Sequence, residues 1–187
     1  MDSKKANSEQ LLRSAAQKTS PEYIKSLPED QQNRMLNGEL SLGQITGLTG
    51  PEMLEMAMQG FRLYEAGKYK DALIVFEGLC ELDPAEAYYR TALGAILLAS
   101  EDLNGALKNF NKALTLNAKD TAALVNRGEV HLRLGNLVEA AHDFAKAVEL
   151  DPENKDPLTM RARLLAAAAL ETIEAAQKSA NADSAKK

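Results

Sequence analysis

Tryptophan is absent from this chain of 187 residues, and Cys80 is its only cysteine. One cysteine excludes an internal disulfide framework and fits a reducing compartment. Aromatic residues make up only 5% of the chain, although 45% of it is hydrophobic. Alanine and leucine therefore supply much of the apolar content, which suits closely packed helices better than a β-sandwich.

Long apolar runs and an excess of basic residues are also missing. No apolar run approaches the roughly 18–20 residues that a transmembrane helix needs, and the N-terminus lacks the apolar stretch of a signal peptide. The formal net charge of -5 argues against nucleic acid as the main partner, since phosphate binding depends on clustered Lys and Arg. We therefore expect a cytoplasmic protein with no membrane span and no nucleic-acid ligand.

The residues needed for catalysis or metal binding are scarce as well. His131 and His142 are the only histidines, and no cysteine or carboxylate stands at ligand spacing from them. The glycines form no phosphate-binding motif. The sequence thus predicts no metal, no cofactor and no enzymatic activity.

What the chain does contain is a repeat with a period of 34 residues. A glycine, an alanine and a phenylalanine each recur in step through three copies: Gly60, Gly94 and Gly128; Ala72, Ala106 and Ala140; Phe76, Phe110 and Phe144. Three residue types in one register make a strong signal. Each copy is interpreted as two antiparallel helices, A and B, in which the glycine and the alanine allow close approach and the phenylalanine fills the gap between hairpins.

These features resemble the tetratricopeptide repeat (TPR). They predict an all-α fold: a TPR superhelix of three helix-turn-helix repeats with an N-terminal extension and a C-terminal capping helix. Helices are expected at about 51–66, 69–82, 86–100, 103–116, 120–134, 137–150 and 156–178. Gly67 and Gly135 should end the first and third A helices, whereas Glu101 in the middle repeat predicts a less sharp turn.

The predicted domains follow this register. Residues 1–50 form an N-terminal extension, residues 51–154 the three repeats (53–86, 87–120 and 121–154), residues 155–179 the capping helix and residues 180–187 a disordered tail. Residues 1–18 are expected to form at most a marginal polar helix. Residues 38–50 are too apolar for a solvated linker, and two alternatives stay open: they cap the first hairpin or they pair two subunits.

The repeat family also implies a ligand surface. In a TPR stack the A helices line the concave face, and positions 2, 5, 9 and 12 of each repeat point into it. This implies a mostly apolar peptide-binding groove, suited to an extended apolar segment, although packing against the N-terminal segment or the last helix is the alternative. The candidate residues are Leu54, Ala57, Phe61, Tyr64, Tyr88, Thr91, Ala95, Leu98, Val125, Glu129 and Leu132.

A narrower resemblance begins at the glycine-rich entry and continues in register through the repeats. The residues that carry it are Ser41–Pro84 with Tyr64, Gly67-Lys68-Tyr69, Asp71-Ala72, Val75-Phe76, Leu79-Cys80 and Leu82-Asp83, then Leu93-Gly94-Ala95, and finally Glu129, Gly135, Leu137 and Glu139-Ala140. This pattern resembles the class II chaperones of bacterial type III secretion, which hold translocator proteins before export.

The resemblance implies a cytoplasmic homodimer that holds an extended apolar segment of a translocator-like client, with Phe61, Tyr64 and Tyr88 in the peptide pockets. The alternative is a TPR scaffold or adaptor in another bacterial cytoplasmic or envelope-associated assembly. The two differ in the surface they use, because an adaptor would capture folded partners through its convex residues.

Overall fold

A computed structural model describes residues 10, 13–14, 17–153 and 155–184 of the chain. Within these residues all regular secondary structure is helical, as expected for an all-α fold. The predicted marginal helix within residues 1–18 falls mostly outside the described residues. The chain divides into two compact units, one ending at Ser100 and the other beginning at Glu101.

The first unit contains the N-terminal helices and the first three helices of the repeats. Its helices are α1 (Pro21–Ser26), α2 (Glu29–Leu36), α3 (Leu42–Thr46), α4 (Gly50–Glu65), α5 (Tyr69–Leu82) and α6 (Ala87–Ala99). α5 packs on both α4 and α6.

The second unit contains the remaining repeat helices and the last helix. Its helices are α7 (Leu103–Leu116), α8 (Thr121–Arg133), α9 (Leu137–Glu149) and α10 (Pro157–Ser184). α8 packs on α7 and α9, and α10 packs on α9 and α8. The six repeat helices, α4 to α9, begin and end within one residue of the predicted bounds, which confirms the register of the repeat.

Contact between an A-helix glycine and a B-helix phenylalanine holds the first hairpin together. A Cβ atom added to Gly60 would lie 2.7 Å from Cε2 of Phe76 and 3.0 Å from Val75, so only glycine leaves room for the ring. Phe76 is fully buried, and its ring also makes an edge contact with Tyr88 of α6, at 6.4 Å between centroids. The phenylalanine thus packs within its own hairpin as well as filling the gap to the next.

The third repeat is built in the same way. A Cβ atom on Gly128 would lie 2.5 Å from Cε1 of Phe144, and both Phe144 and Ala140 are completely buried. A side chain at either glycine would force the ring away, at a cost of about 1–3 kcal/mol for overpacking. The recurring glycine therefore sets how closely α8 approaches α9.

The N-terminal segment packs onto the first hairpin. Leu27 and Leu42 are buried in the same core as Phe76, and Ile45 and Leu48 lie against that core. A Cβ atom on Gly43 would lie 2.9 Å from the carbonyl oxygen of Leu82, so this glycine lets α3 approach the end of α5. The packing agrees with the capping alternative for residues 38–50, whereas pairing of subunits stays a prediction. Residues 20–36 before this segment are mostly helical, in α1 and α2.

The turns between A and B helices have one geometry in all three repeats. Gly67 and Gly135 adopt φ values of 71° and 78°, in the left-handed region, and Glu101 adopts 67°. The expectation of a less sharp turn in the middle repeat is therefore wrong. The helix geometry demands a left-handed residue whatever its side chain, and a non-glycine residue adopts that conformation with strain.

The last helix is longer than predicted. Ala162 and Ala169 are buried, and Leu158 and Leu165 pack against the core of the second unit, so these residues form the packed side of α10. The helix continues to Ser184, beyond the predicted end at residue 178, and disorder in the tail that follows stays a prediction. Its solvent-facing residues include apolar ones, since Leu164 and Leu170 are exposed.

Asp151 organises the loop before the last helix. Its carboxylate accepts hydrogen bonds from the hydroxyl of the buried Thr159 and from the backbone N–H groups of Lys155 and Asp156. The Thr159 hydroxyl, followed by these two N–H groups, lowers the pKa of Asp151 from 3.8 to about 2. This carboxylate therefore joins the end of α9 to the start of α10.

Replacing Glu101 by glycine should stabilise the protein. Glu101→Gly relieves about 1–2 kcal/mol of left-handed strain but raises the entropy of the unfolded chain by about 0.5–1 kcal/mol. We expect a net gain of about 0.5–1 kcal/mol in the free energy of unfolding, measured by urea denaturation. Gly67→Ala is the matched control and should lose about 1 kcal/mol. A loss of stability in Glu101→Gly would contradict the claim that the backbone at Glu101 is strained.

The contribution of Asp151 should disappear in acid. Because the pKa of this carboxyl is lower in the folded than in the unfolded chain, its stabilisation is complete above about pH 4 and is lost as the pH falls towards about 2. The wild type should therefore melt above Asp151→Asn at pH 6, and the difference should shrink through this window. Glu153→Gln, in the same loop, should melt like the wild type. A difference in melting temperature that persists unchanged at pH 2 would contradict this assignment.

Candidate functional site

The predicted groove residues lie on the three A helices, α4, α6 and α8, but they do not share one degree of exposure. Leu54, Phe61 and Tyr88 are exposed, and Tyr64, Ala95, Glu129 and Leu132 are half-buried. Ala57, Thr91, Leu98 and Val125 are buried. These last four support the helices from beneath and offer no surface to a ligand in this structure.

The exposure of each residue follows its position in the repeat. Position 5 is buried in all three A helices, as Ala57, Thr91 and Val125. Positions 2, 6, 9 and 13 are spaced by four, three and four residues, which places them on one side of an α-helix. We call this side the A-helix face. Its members are Leu54, Met58, Phe61 and Glu65 on α4, Tyr88, Ala92, Ala95 and Ala99 on α6, and Ala122, Asn126, Glu129 and Arg133 on α8.

The sequence prediction missed Met58 and the alanines at positions 6 and 13. Positions 2, 5, 9 and 12 have helical spacing, and so do positions 2, 6, 9 and 13. Periodicity alone therefore could not show which of the two sets is exposed. The packing of α4 separates them, since Met56, Ala57 and Gly60 are buried there whereas Met58 is exposed.

On α4 the A-helix face is apolar and accessible over two turns. Leu54 is 58% exposed, Met58 42% and Phe61 47%. The polar side chains Glu55 and Arg62 lie to one side and pair with each other at 3.2 Å. No charge therefore interrupts the face until Glu65.

Aromatic rings fix the borders of this face. The Phe61 and Tyr64 centroids lie 6.1 Å apart, and Tyr64 lies 5.9 Å from Tyr69 at the start of α5. Contacts of this kind hold the rings in place and add about 0.5–1.5 kcal/mol per pair. The face thus ends against a preformed aromatic edge.

On α6 the face combines one large ring with small side chains. Tyr88 is 48% exposed and contacts both Phe76 and Tyr89, at 6.4 and 6.0 Å between centroids. Ala92, Ala95 and Ala99 follow it along the helix and are half-buried. A ring beside small side chains leaves room for a bulky apolar side chain of a ligand.

The face of α8 in the second unit is polar. Glu129 accepts a hydrogen bond from Arg133 at 2.7 Å and another from Arg161 of α10. Its carboxylate is therefore neutralised within the unit, and the neighbouring Asn126 is half-buried. Val125 and Leu132 belong to the core or lie against it. The predicted site residues on α8 thus stabilise the unit rather than forming an apolar surface.

Comparison with known families identifies the fold. Two matches to the tetratricopeptide repeat span residues 58–119 and 91–155, which together cover more than half of the chain. The chain belongs to the tetratricopeptide repeat family. None of the helices in its described residues is long and apolar enough to span a membrane.

The characterised relatives include two groups of proteins. DnaJ homolog subfamily C member 3 of Rattus norvegicus is 31% identical over 118 residues, which is 62% of this chain but only 23% of that protein. The chain thus spans about a quarter of that relative. Low calcium response locus protein H of Yersinia pseudotuberculosis is 27% identical over 135 residues, which is 71% of this chain and 80% of that protein.

Solved structures agree with the second group. PcrH in complex with the chaperone binding region of PopD superposes with a TM-score of 0.63 and 28% identity, over 67% of this chain and 96% of that chain. The Yersinia enterocolitica type III secretion translocator chaperone SycD, in an alternative dimer, gives a TM-score of 0.63 and 26% identity, over 68% and 98%. The chain thus has structural neighbours among the translocator chaperones, as the resemblance implied.

The register of the face can be tested by substitutions at adjacent positions. Ala57→Gln places an amide in a buried site and should destabilise the protein by about 1–3 kcal/mol. Met58→Gln changes an exposed side chain and should stay within about 0.5 kcal/mol of the wild type. Urea denaturation of both variants checks the assignment, and equal losses would contradict it.

Proposed function

We propose that this protein is a chaperone that holds an extended apolar segment of a translocator-like secreted protein against the A-helix face of its first unit. The observation that carries the proposal is the accessible apolar surface formed by Leu54, Met58 and Phe61 on α4, with Tyr88 on α6. Phe76 connects the two helices, because its ring packs on Gly60 and contacts Tyr88.

The physical chemistry of this surface favours an apolar ligand. Covering apolar surface contributes about 25 cal/mol per Å², and these side chains stand on helices whose packing already holds them in place. Little conformational entropy is then lost on binding. A carboxylate ligand would find no cation among the α4 residues of the face. An extended segment with bulky apolar side chains is therefore the best complement.

The relatives support the proposal that the client is a translocator-like protein. PcrH binds a region of PopD, SycD is a translocator chaperone, and this chain covers nearly the whole length of each. Low calcium response locus protein H is matched over most of its length as well. The DnaJ homolog is matched only over its repeats and supports the proposal less.

The proposed chaperone acts in the cytoplasm without catalysis, metal or cofactor. It shields the client before export, which requires binding alone. The proposal includes a homodimer, for which the exposed Leu36 on α2 is an apolar side chain available to a second copy. Residues 1–50 would then cap the first hairpin and also contribute to the dimer.

Co-expression with an affinity-tagged translocator-like protein from the same genome tests the proposal. The wild type should keep the client in solution and copurify with it. Phe61→Glu combined with Tyr88→Glu introduces two carboxylates on the A-helix face and should reduce the recovered complex about tenfold or more. Ile74→Glu is the matched control, because Ile74 is an exposed apolar residue of α5, outside the A-helix face.

The control also distinguishes an adaptor. If the complex survives the double substitution and is lost with Ile74→Glu, the partner binds the B-helix side, and the protein is a scaffold rather than this chaperone. The melting temperatures of all variants must match the wild type within a few degrees, so that loss of binding is not loss of fold.

A further inference from the structure

The exposed side of α7 carries no acidic residue, although the chain as a whole is acidic. Between Leu103 and Lys119 there is no aspartate or glutamate. The residues that share this side by helical spacing offer only amide, hydroxyl and ammonium groups: Asn104, Lys108, Asn111, Lys112 and Thr115. This side of the second unit is therefore rich in hydrogen-bond donors and positively charged.

An open groove of about 400 Å³ lies beside these residues. Asn111 and Thr115 of α7 line one wall, and Lys146 of α9 lines the other. Leu124 and Arg127 come from α8 between them, and Leu114 adds apolar surface. We call this the B-helix groove, because α7 and α9 are B helices. It shares no residue with the A-helix face.

Arg127 is held rigidly in this groove. Its Nε donates to Oδ2 of the buried Asp143 at 2.7 Å, its Nη2 donates to Oδ1 of the same residue at 2.6 Å, and its Nη1 donates to Oδ1 of Asn111 at 2.7 Å. A guanidinium has five N–H donors, so these bonds leave donors on the two terminal nitrogens. Asp143 offsets its charge but does not occupy these donors.

Lys146 supplies the net charge of the groove. Among the described residues, its ammonium group has no ion-pair or hydrogen-bond partner, and Lys146 is exposed. Glu139 and Glu149 are exposed on the same helix but do not line the groove. The charges of Arg127 and Asp143 cancel, so the Lys146 ammonium gives the lining of the groove a net positive charge. Lys112 adds a second cation on the exposed side of α7.

We propose that the B-helix groove binds an acidic peptide segment of a partner protein. A carboxylate would accept hydrogen bonds from the Lys146 ammonium and from the remaining Arg127 donors. A neighbouring apolar side chain would pack on Leu114 and Leu124. Charge-assisted hydrogen bonds to fixed donors are the strong kind, and the fixed position of Arg127 means that little ordering is needed on binding.

Fluorescence anisotropy with the full chain tests the proposal. The probe is a short dye-labelled peptide of alternating glutamate and leucine, and its counterpart carries glutamine instead of glutamate. We expect the acidic peptide to bind about tenfold or more tightly than its counterpart. Lys146→Glu should weaken its binding by a similar factor, and added salt should weaken it as well.

Two controls make the result decisive. Lys70→Glu makes the same change in net charge on α5, in the first unit, and should leave the affinity unchanged. Phe61→Glu should also leave it unchanged, which separates this groove from the proposed client surface. Equal binding of the two peptides, or equal loss in Lys146→Glu and Lys70→Glu, would overturn the proposal. A single-stranded RNA of the same charge as the peptide is tested as a competitor. If it binds more tightly than the peptide and displaces it, the assignment of the ligand as an acidic peptide is wrong.

Discussion

The first and third helical hairpins of this protein depend on the contact between a phenylalanine ring and a glycine on the facing helix. Phe76 packs on Gly60 and Phe144 on Gly128, at distances that exclude even a methyl group. Because the ring touches backbone rather than side chain, the two helices approach closely and cannot rotate about their axes without losing the contact. The rotation of each A helix then decides which of its residues face water.

That rotation has a direct consequence for function. With Gly60 turned towards Phe76, the neighbouring Ala57 is buried, and Leu54, Met58 and Phe61 are exposed further round the helix. The apolar face of α4 is therefore a product of core packing, and its side chains need no rearrangement to become accessible. A surface of this kind is stable in the free protein because the cost of exposing it is offset by the hairpin core beneath.

The two units differ in what they expose. The first presents apolar and aromatic side chains on α4 and α6, whereas the second neutralises its A-helix carboxylate with Arg133 and Arg161. On its B-helix side the second unit carries an unpaired cation, Lys146, beside the Arg127–Asp143 pair. The proposed apolar and electrostatic recognition would therefore use different helices, which would allow two ligands of different chemistry.

The sequence by itself determined the repeat, the bounds of its six helices and the residue types at their contacts, because a period of 34 residues with glycine, alanine and phenylalanine admits few other arrangements. It also indicated which helices carry the candidate site. It could not decide between positions 5 and 6 of each A helix, since both have helical spacing. Nor could it show that Glu101 takes a left-handed turn or that Glu129 is paired with Arg161 of another helix. Only the tertiary structure decided these points, because they depend on how each helix is rotated against its neighbours and on which distant side chains that rotation brings together.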